Sequence, residues 1–237
     1  MAWRRCCILT WLLLSASPVF AQTAREYLNL VADAYKHLSS LQVISDVERG
    51  RADQPRNLKL AVTVYVAQPN RVRIETKRDG DVLMSVLISK GNAITEYNVW
   101  KKEYSSFTGD VSVSFDPDRG TGLGEMLYDT IADGVNKASI RGQQTLVIGT
   151  DQVPCAVVDV EYRPEGRTKF SFWISRNGLV FRRAVTFWNG NEIQVLVSSV
   201  RALTANENLP EETFEFRPPP GVKEVPPPTG RSVLATR

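Results

Sequence analysis

Histidine and cysteine are nearly absent. Among 237 residues there is one histidine, His37, and there are three cysteines, Cys6, Cys7 and Cys155. A soft metal site needs several such ligands close together, so the common zinc architectures are excluded. A Ser-His-Asp constellation would have to draw on His37, and no nucleophile-elbow sequence occurs anywhere. The loop Gly120-Thr121-Gly122-Leu123-Gly124 lacks both the preceding βαβ strand and the Lys-Ser/Thr ending of a phosphate loop. Asp116 and Asp118 open like a calcium loop, but its twelfth position is Leu127 instead of an acid. Asp159 and Glu161 share a strand face and read as a solvated surface, not a glycosidase pair. His37 reads as a partly exposed helix residue and Cys155 as a small buried one. No catalytic residue, metal or cofactor is expected, and the protein reads as a non-enzyme.

Excess charge of one sign is missing too. The formal net charge is +3; it falls to about +1 once Arg4 and Arg5 leave with the N-terminal segment. Arg71, Arg73, Lys77 and Arg78 are interleaved with acids, so no nucleic-acid partner is expected. A long apolar run is also lacking. The stretch 6–16 is too short to cross a bilayer. It follows a basic start and precedes Ser17-Pro18-Val19-Phe20-Ala21, which is the layout of a cleavable signal peptide over 1–21. Export without a surface anchor points to the bacterial periplasm. Cys155 is then the only cysteine left, so no internal disulfide forms. A core must hold the remaining roughly 215 residues, which suffice for one domain.

What is present is periodicity. Tyr27, Leu28, Val31, Ala34, Tyr35, Leu38 and Leu41 share a helical stripe, and Thr23 with Glu26 makes a capping box. After Leu41 the period changes to two. Leu58, Leu60, Val62, Val64 and Val66 share one face; Arg71, Arg73, Glu75 and Lys77 alternate with Val72, Ile74 and Thr76. Tight turns at 79–80, 91–92, 177–178 and 189–190 join short strands into antiparallel neighbours. Leu123, Met126, Leu127 and Ile131 have helical spacing and predict a second helix ending near Gly134. A last short strand is expected at 214–216, and a Pro-rich disordered tail over 225–237. The predicted class is α+β: one curved antiparallel sheet, an unclosed half-barrel, covered by an N-terminal helix and a mid-chain helical lid over residues 22–224.

These residues resemble a known family. Gln68-Pro69-Asn70-Arg71-Val72-Arg73-Ile74, Val86-Leu87-Ile88-Ser89-Lys90-Gly91-Asn92 with Tyr97-Asn98, and Phe214-Glu215-Phe216-Arg217-Pro218-Pro219-Pro220-Gly221-Val222 are similar to motifs of the LolA/LolB-like superfamily of periplasmic lipoprotein carriers. The resemblance spans nearly all of 23–224. It implies an open barrel whose apolar interior accepts acyl chains, with Val72 and Ile74 facing inward and Leu123, Met126, Leu127 and Ile131 in the lid. The carrier latches its lid with an arginine just before Pro-Asn; Gln68 stands at that latch position here, which points to a separate branch of the superfamily. The cavity lining is expected from Val62, Val64, Val72, Ile74, Val86, Ile88, Phe170 and Phe172, if the sheet leaves a cavity instead of filling itself. Each buried methylene of a lipid contributes about 0.8 kcal/mol, so a dozen give roughly 10 kcal/mol before binding costs. The expected function is a monomeric carrier or chaperone for lipoprotein acyl chains or another lipid. The alternative is a sensor domain in envelope stress signalling that works through a membrane protein partner. A small hydrolase resting on His37 is the third reading.

Overall fold

The N-terminal helix forms because its first turn is closed from both sides. In the computed structural model, which describes residues 22–54, 58–78, 81–109, 111, 113–117, 127–164 and 167–227, Glu26 N–H donates to Thr23 Oγ1 at 3.2 Å while the Glu26 carboxylate accepts from Thr23 N–H at 2.6 Å. This is the expected capping box, and it starts α1, Ala24–Lys36. The stripe Leu28, Val31, Ala32 and Tyr35 is buried against the sheet. His37 caps the far end, with its Nδ1 2.7 Å from the Asp33 carbonyl.

Apart from one short 3-10 turn, the rest of the regular structure among the described residues is strand. In chain order these are β1 (Ser40–Arg51), β2 (Leu58–Ala67), β3 (Arg71–Arg78), β4 (Val82–Lys90), β5 (Ala93–Asn98), β6 (Glu103–Thr108), β7 (Lys137–Ile148), β8 (Asp151–Glu161), β9 (Thr168–Ser175), β10 (Val180–Asn189), β11 (Glu192–Ala205) and β12 (Lys223–Glu224). They form one sheet in the order β12-β6-β5-β4-β3-β2-β1-β11-β10-β9-β8-β7. Every neighbour is antiparallel except β12, which runs parallel to β6. The two outer strands do not meet, so the sheet is an unclosed half-barrel. Register shifts after Ile44, Thr76, Ile140 and Val180 insert bulges, which increase local twist and bend the sheet around its core.

Two expected elements differ. The stretch 127–134 is not helical. Successive backbone bonds, Ile131 N–H to Tyr128 O and Asp133 N–H to Thr130 O, close tight turns instead. Thr130 Oγ1 donates to the Phe115 carbonyl at 2.6 Å, so this stretch is tied to a neighbouring segment and not coiled on itself. Residues 214–216 are not a strand. Glu211–Phe214 is a short 3-10 turn, and the chain then runs extended across the convex face until β12 pairs with β6. At the start of the tail, Val225 N–H donates to the Tyr104 carbonyl at 2.8 Å.

That strap occupies the charged face of β3. Arg71 forms an ion pair with Glu211 and stacks over the Phe214 ring at 5.3 Å. Arg73 donates to the carbonyls of Thr213 and Glu215 and pairs with Glu75. The alternating charges of β3 therefore face a bound segment of the same chain, where the period alone predicts water.

Candidate functional site

Cross-strand partners share a sheet face, so register identifies the concave lining. Val64, Ile74, Leu87, Glu96 and Ser105 form one row across β2 to β6. Val160, Phe170, Val185 and Leu196 form a row in the other half, and Val158, Phe172, Arg183 and Ser198 lie beside it.

The β8–β11 half is filled. Phe115 inserts among Tyr128, Tyr162, Phe170 and Phe172 with ring centroids 5.4–5.9 Å away. Backbone bonds between Phe115 and Leu127 and between Leu127 and Val113 hold the inserting segments together. Tyr162 Oη donates to the Ile131 carbonyl at 2.7 Å. Burial pushes the Tyr35 and Tyr162 phenols far above their ordinary range, so both stay neutral; Tyr162 donates to Ile131, while Tyr35 Oη accepts from Val180 N–H at 3.3 Å. The gap left beside Tyr35, Tyr128 and Arg183 is only about 10 Å³, no more than one water needs.

The β3–β6 half is open. A pocket of about 450 Å³ lies over Ile74, Thr76, Ser85, Leu87, Glu96, Asn98 and Ser105, with Lys101 and Glu103 at its rim and Val225 and Pro226 of the tail beside β6. This is within the usual size of small-molecule sites. Its apolar floor with polar walls suits an amphiphile better than a bare hydrocarbon. Among the described residues no three His, Cys, Asp or Glu side chains come together to hold a metal.

The sequence-predicted lining is divided by this geometry. Val62, Val64, Val72, Ile74, Phe170 and Phe172 all belong to the main core. Ile74 alone of these also lines the open pocket. Val86 and Ile88 are not in the main core, although Val86 is among the residues bordering the open pocket. They pair with Glu75 and Arg73, so they point to the convex face, where they pack with Tyr97, Phe216 and Val222. Leu87 is the inward residue between them. β4 is apolar on both faces, so periodicity could not tell which residue points in. Of the lid positions, Leu127 and Ile131 are buried in the core, and Leu123 and Met126 lie outside the described residues. Gln68 is exposed at the β2–β3 turn, where its N–H donates to the Ser39 carbonyl. Asp159 accepts from Ser171 Oγ at 2.6 Å, and Glu161 lies 3.7 Å from Lys169, so both serve the strand surface. Sequence reasoning missed Arg183, a 1% exposed cation on the concave face beside Tyr128. Its alternation with Val185 and Phe187 was the available signal.

No protein-family model matches the sequence, and no curated protein matches it either. Solved structures do. An uncharacterised conserved protein from Thermus thermophilus is 14% identical, with a TM-score of 0.51 over 86% of this chain and 99% of that one. The LolA superfamily protein NE2245 from Nitrosomonas europaea is 11% identical, with a TM-score of 0.39 over 83% of this chain and 99% of that one. MucB is 15% identical, with a TM-score of 0.49 over 82% of this chain and 62% of its own. At these identities the likeness is one of fold alone, an unclosed antiparallel sheet shared with the Thermus thermophilus protein. In this half-barrel the concave face is split, with one side plugged by aromatic rings and the other open.

Proposed function

We propose that this protein is a non-catalytic, exported lipid binder, a periplasmic carrier or chaperone that takes an acyl chain of a lipoprotein or another lipid. The observation that carries the reading is the 450 Å³ pocket on the concave face, floored by Ile74 and Leu87. A chain laid on that floor gains about 0.8 kcal/mol per methylene, and Asn98, Lys101 and the hydroxyls of Ser85 and Ser105 offer partners to a polar head. The test is native mass spectrometry of the exported protein, followed by uptake of a fluorescent fatty acid. Bound lipid is expected, with uptake reduced at least tenfold by Leu87→Trp, which fills the floor. A protein that comes out empty, and takes up no more than its Leu87→Trp variant, overturns the reading.

One observation favours the second reading, a LolA-like sensor domain acting through an envelope protein. β7 is twelve residues long, lies at the end of the sheet and exposes Val147. Such an edge accepts a strand from another chain. A single stoichiometric partner cross-linked to the parent, and lost on Val147→Lys, is the result that would support it; retention in the variant would exclude the edge.

A further inference from the structure

The antiparallel meander sends alternate turns to opposite ends of the half-barrel. The turns β1–β2, β3–β4, β5–β6 and β10–β11 share one end, as the pairs Arg49↔Leu58, Arg78↔Val82, Asn98↔Glu103 and Arg51↔Gln194 require. Six large apolar side chains are exposed among the described residues, and four of them belong to this end: Val82, Trp100, Trp188 and Ile193. Trp188 and Ile193 are cross-strand partners beside the β10–β11 turn. Trp100 projects from the β5–β6 turn with 69% of its surface exposed.

Trp100 is held out by an ordered turn. Lys102 N–H donates to the Val99 carbonyl at 3.2 Å, Lys101 N–H donates to Asn98 Oδ1 at 3.1 Å, and Val99 N–H donates to the Met84 carbonyl at 3.0 Å. With these three backbone donors satisfied, this tip presents one indole next to two exposed lysines, Lys101 and Lys102. An indole beside ammonium groups is the pairing that settles at the level of lipid headgroups, the ring among glycerol and acyl carbons and the charges on phosphates. At the β10–β11 turn Arg51 is shared by Asp53 and Glu192, so that turn's cation is already balanced by acids. The same end carries the mouth of the concave pocket, because Thr76, Asn98, Lys101 and Glu103 line both.

We propose that this end of the half-barrel docks on an anionic lipid surface, with the Trp100-Lys101-Lys102 turn as the main anchor and Trp188 with Ile193 as a second apolar contact. Docked in this way, the pocket mouth faces the lipid, and a chain can pass between bilayer and pocket without crossing water. The docking stands apart from what the pocket holds, so vesicle binding and fatty-acid uptake are separate readouts.

The test is co-sedimentation of the whole chain, purified after export, with vesicles of phosphatidylcholine alone or containing phosphatidylglycerol. Pelleting with the anionic vesicles is expected to exceed that with neutral ones. Trp100→Ser is expected to weaken it by about tenfold, and Lys101→Gln and Lys102→Gln by roughly fivefold each. All three side chains are exposed, so these variants keep the fold; Val147→Ser, at the opposite end, is the exposed-apolar control and should bind like the parent. Equal pelleting of parent and Trp100→Ser, equal pelleting with both vesicle types, or no pelleting at all overturns the proposal. A parent that docks but takes up no fatty acid leaves the docking intact and removes the carrier reading.

Discussion

Phe115→Ala separates a plug from an ordinary core residue. Phe115 is 3% exposed and meets four rings, those of Tyr128, Tyr162, Phe170 and Phe172. Truncation removes the ring's transfer energy and leaves a cavity, together about 3–5 kcal/mol. For a domain of this size that lowers Tm by roughly 6–20 °C. The void it leaves is walled by Phe170, Phe172 and Tyr162, and apolar voids of this kind stay dry and accept apolar guests. If the aromatic half of the concave face is a filled version of a lipid site, the vacated volume adds room for about four methylenes, or ~3 kcal/mol. Fatty-acid affinity should then rise, by up to about a hundredfold, while stability falls. Differential scanning fluorimetry and a fluorescent fatty-acid titration on one preparation read both quantities. Added fatty acid should also recover part of the lost Tm, because the ligand binds only the folded chain. If uptake falls together with stability, or if lipid recovers none of the lost Tm, Phe115 is merely core and the two halves of the concave face are unrelated.

Three further outcomes follow from particular contacts. Gly178 has φ +75°, and a Cβ there would lie 2.6 Å from the Leu30 carbonyl oxygen of α1; Gly178→Ala should destabilise by about 2 kcal/mol or more, as thermal or urea unfolding will measure. Burial pushes the Cys155 thiol up to about 11, so it should resist Ellman's reagent at pH 8 and react at once in guanidinium. The Glu211 carboxyl is held below its usual 4.5 by its hydrogen bond to Lys90, and by the charges of Lys90 and Arg71. A depressed acid stabilises the folded form above its unfolded value, and that support is lost as pH drops through the folded one. Cleavage of the strap by a protease active in acid should therefore increase as pH falls below 4.5, and Glu211→Gln should show the faster cleavage already at pH 7; equal rates for parent and variant at pH 7 would contradict the assignment.

The fold was legible where one face of an element meets apolar neighbours and the other meets water. The helix stripe, the capping box at Thr23 and Glu26, and the alternation of β2 all translated directly into burial. Legibility failed where both faces are covered. β4 packs Leu87 toward the concave side and Val86 and Ile88 toward the strap, so its sequence carries no period to read. β3 shows the converse, since its charged face looks solvent-exposed in sequence yet holds Glu211, Thr213 and Glu215. Contacts between residues so far apart in the chain have no local signature. The spacing of Leu127 and Ile131 is helical, but the Leu127 backbone bonds to Phe115 and Val113 and the Ile131 carbonyl accepts from Tyr162, so tertiary bonds decided the backbone.

The site was partly legible for a related reason. Sequence pattern can say that a face is apolar; it cannot say whether that face is covered by its own chain or by a guest. Val62, Val64, Val72, Phe170 and Phe172 are as apolar as a lipid site demands, and they are covered by α1 and the segments carrying Phe115 and Tyr128. What remains open is the less apolar end of the same face, where Thr76, Ser85, Glu96, Asn98 and Ser105 interrupt the aliphatic rows. Those polar residues weaken any match to a pure hydrocarbon, and for the same reason no pattern of residues drew attention there. They are also what keeps the pocket from collapsing. Burying a hydroxyl or a carboxylate under the chain's own apolar side chains would forfeit its hydrogen bonds to water, at about 1–3 kcal/mol for a hydroxyl and more for a charge. A ligand whose head can replace that water removes the penalty while its chain covers Ile74 and Leu87. The polar positions thus select for an amphiphile over the protein's own core, and replacing Ser85 and Ser105 by valine should close the pocket to lipid while raising stability.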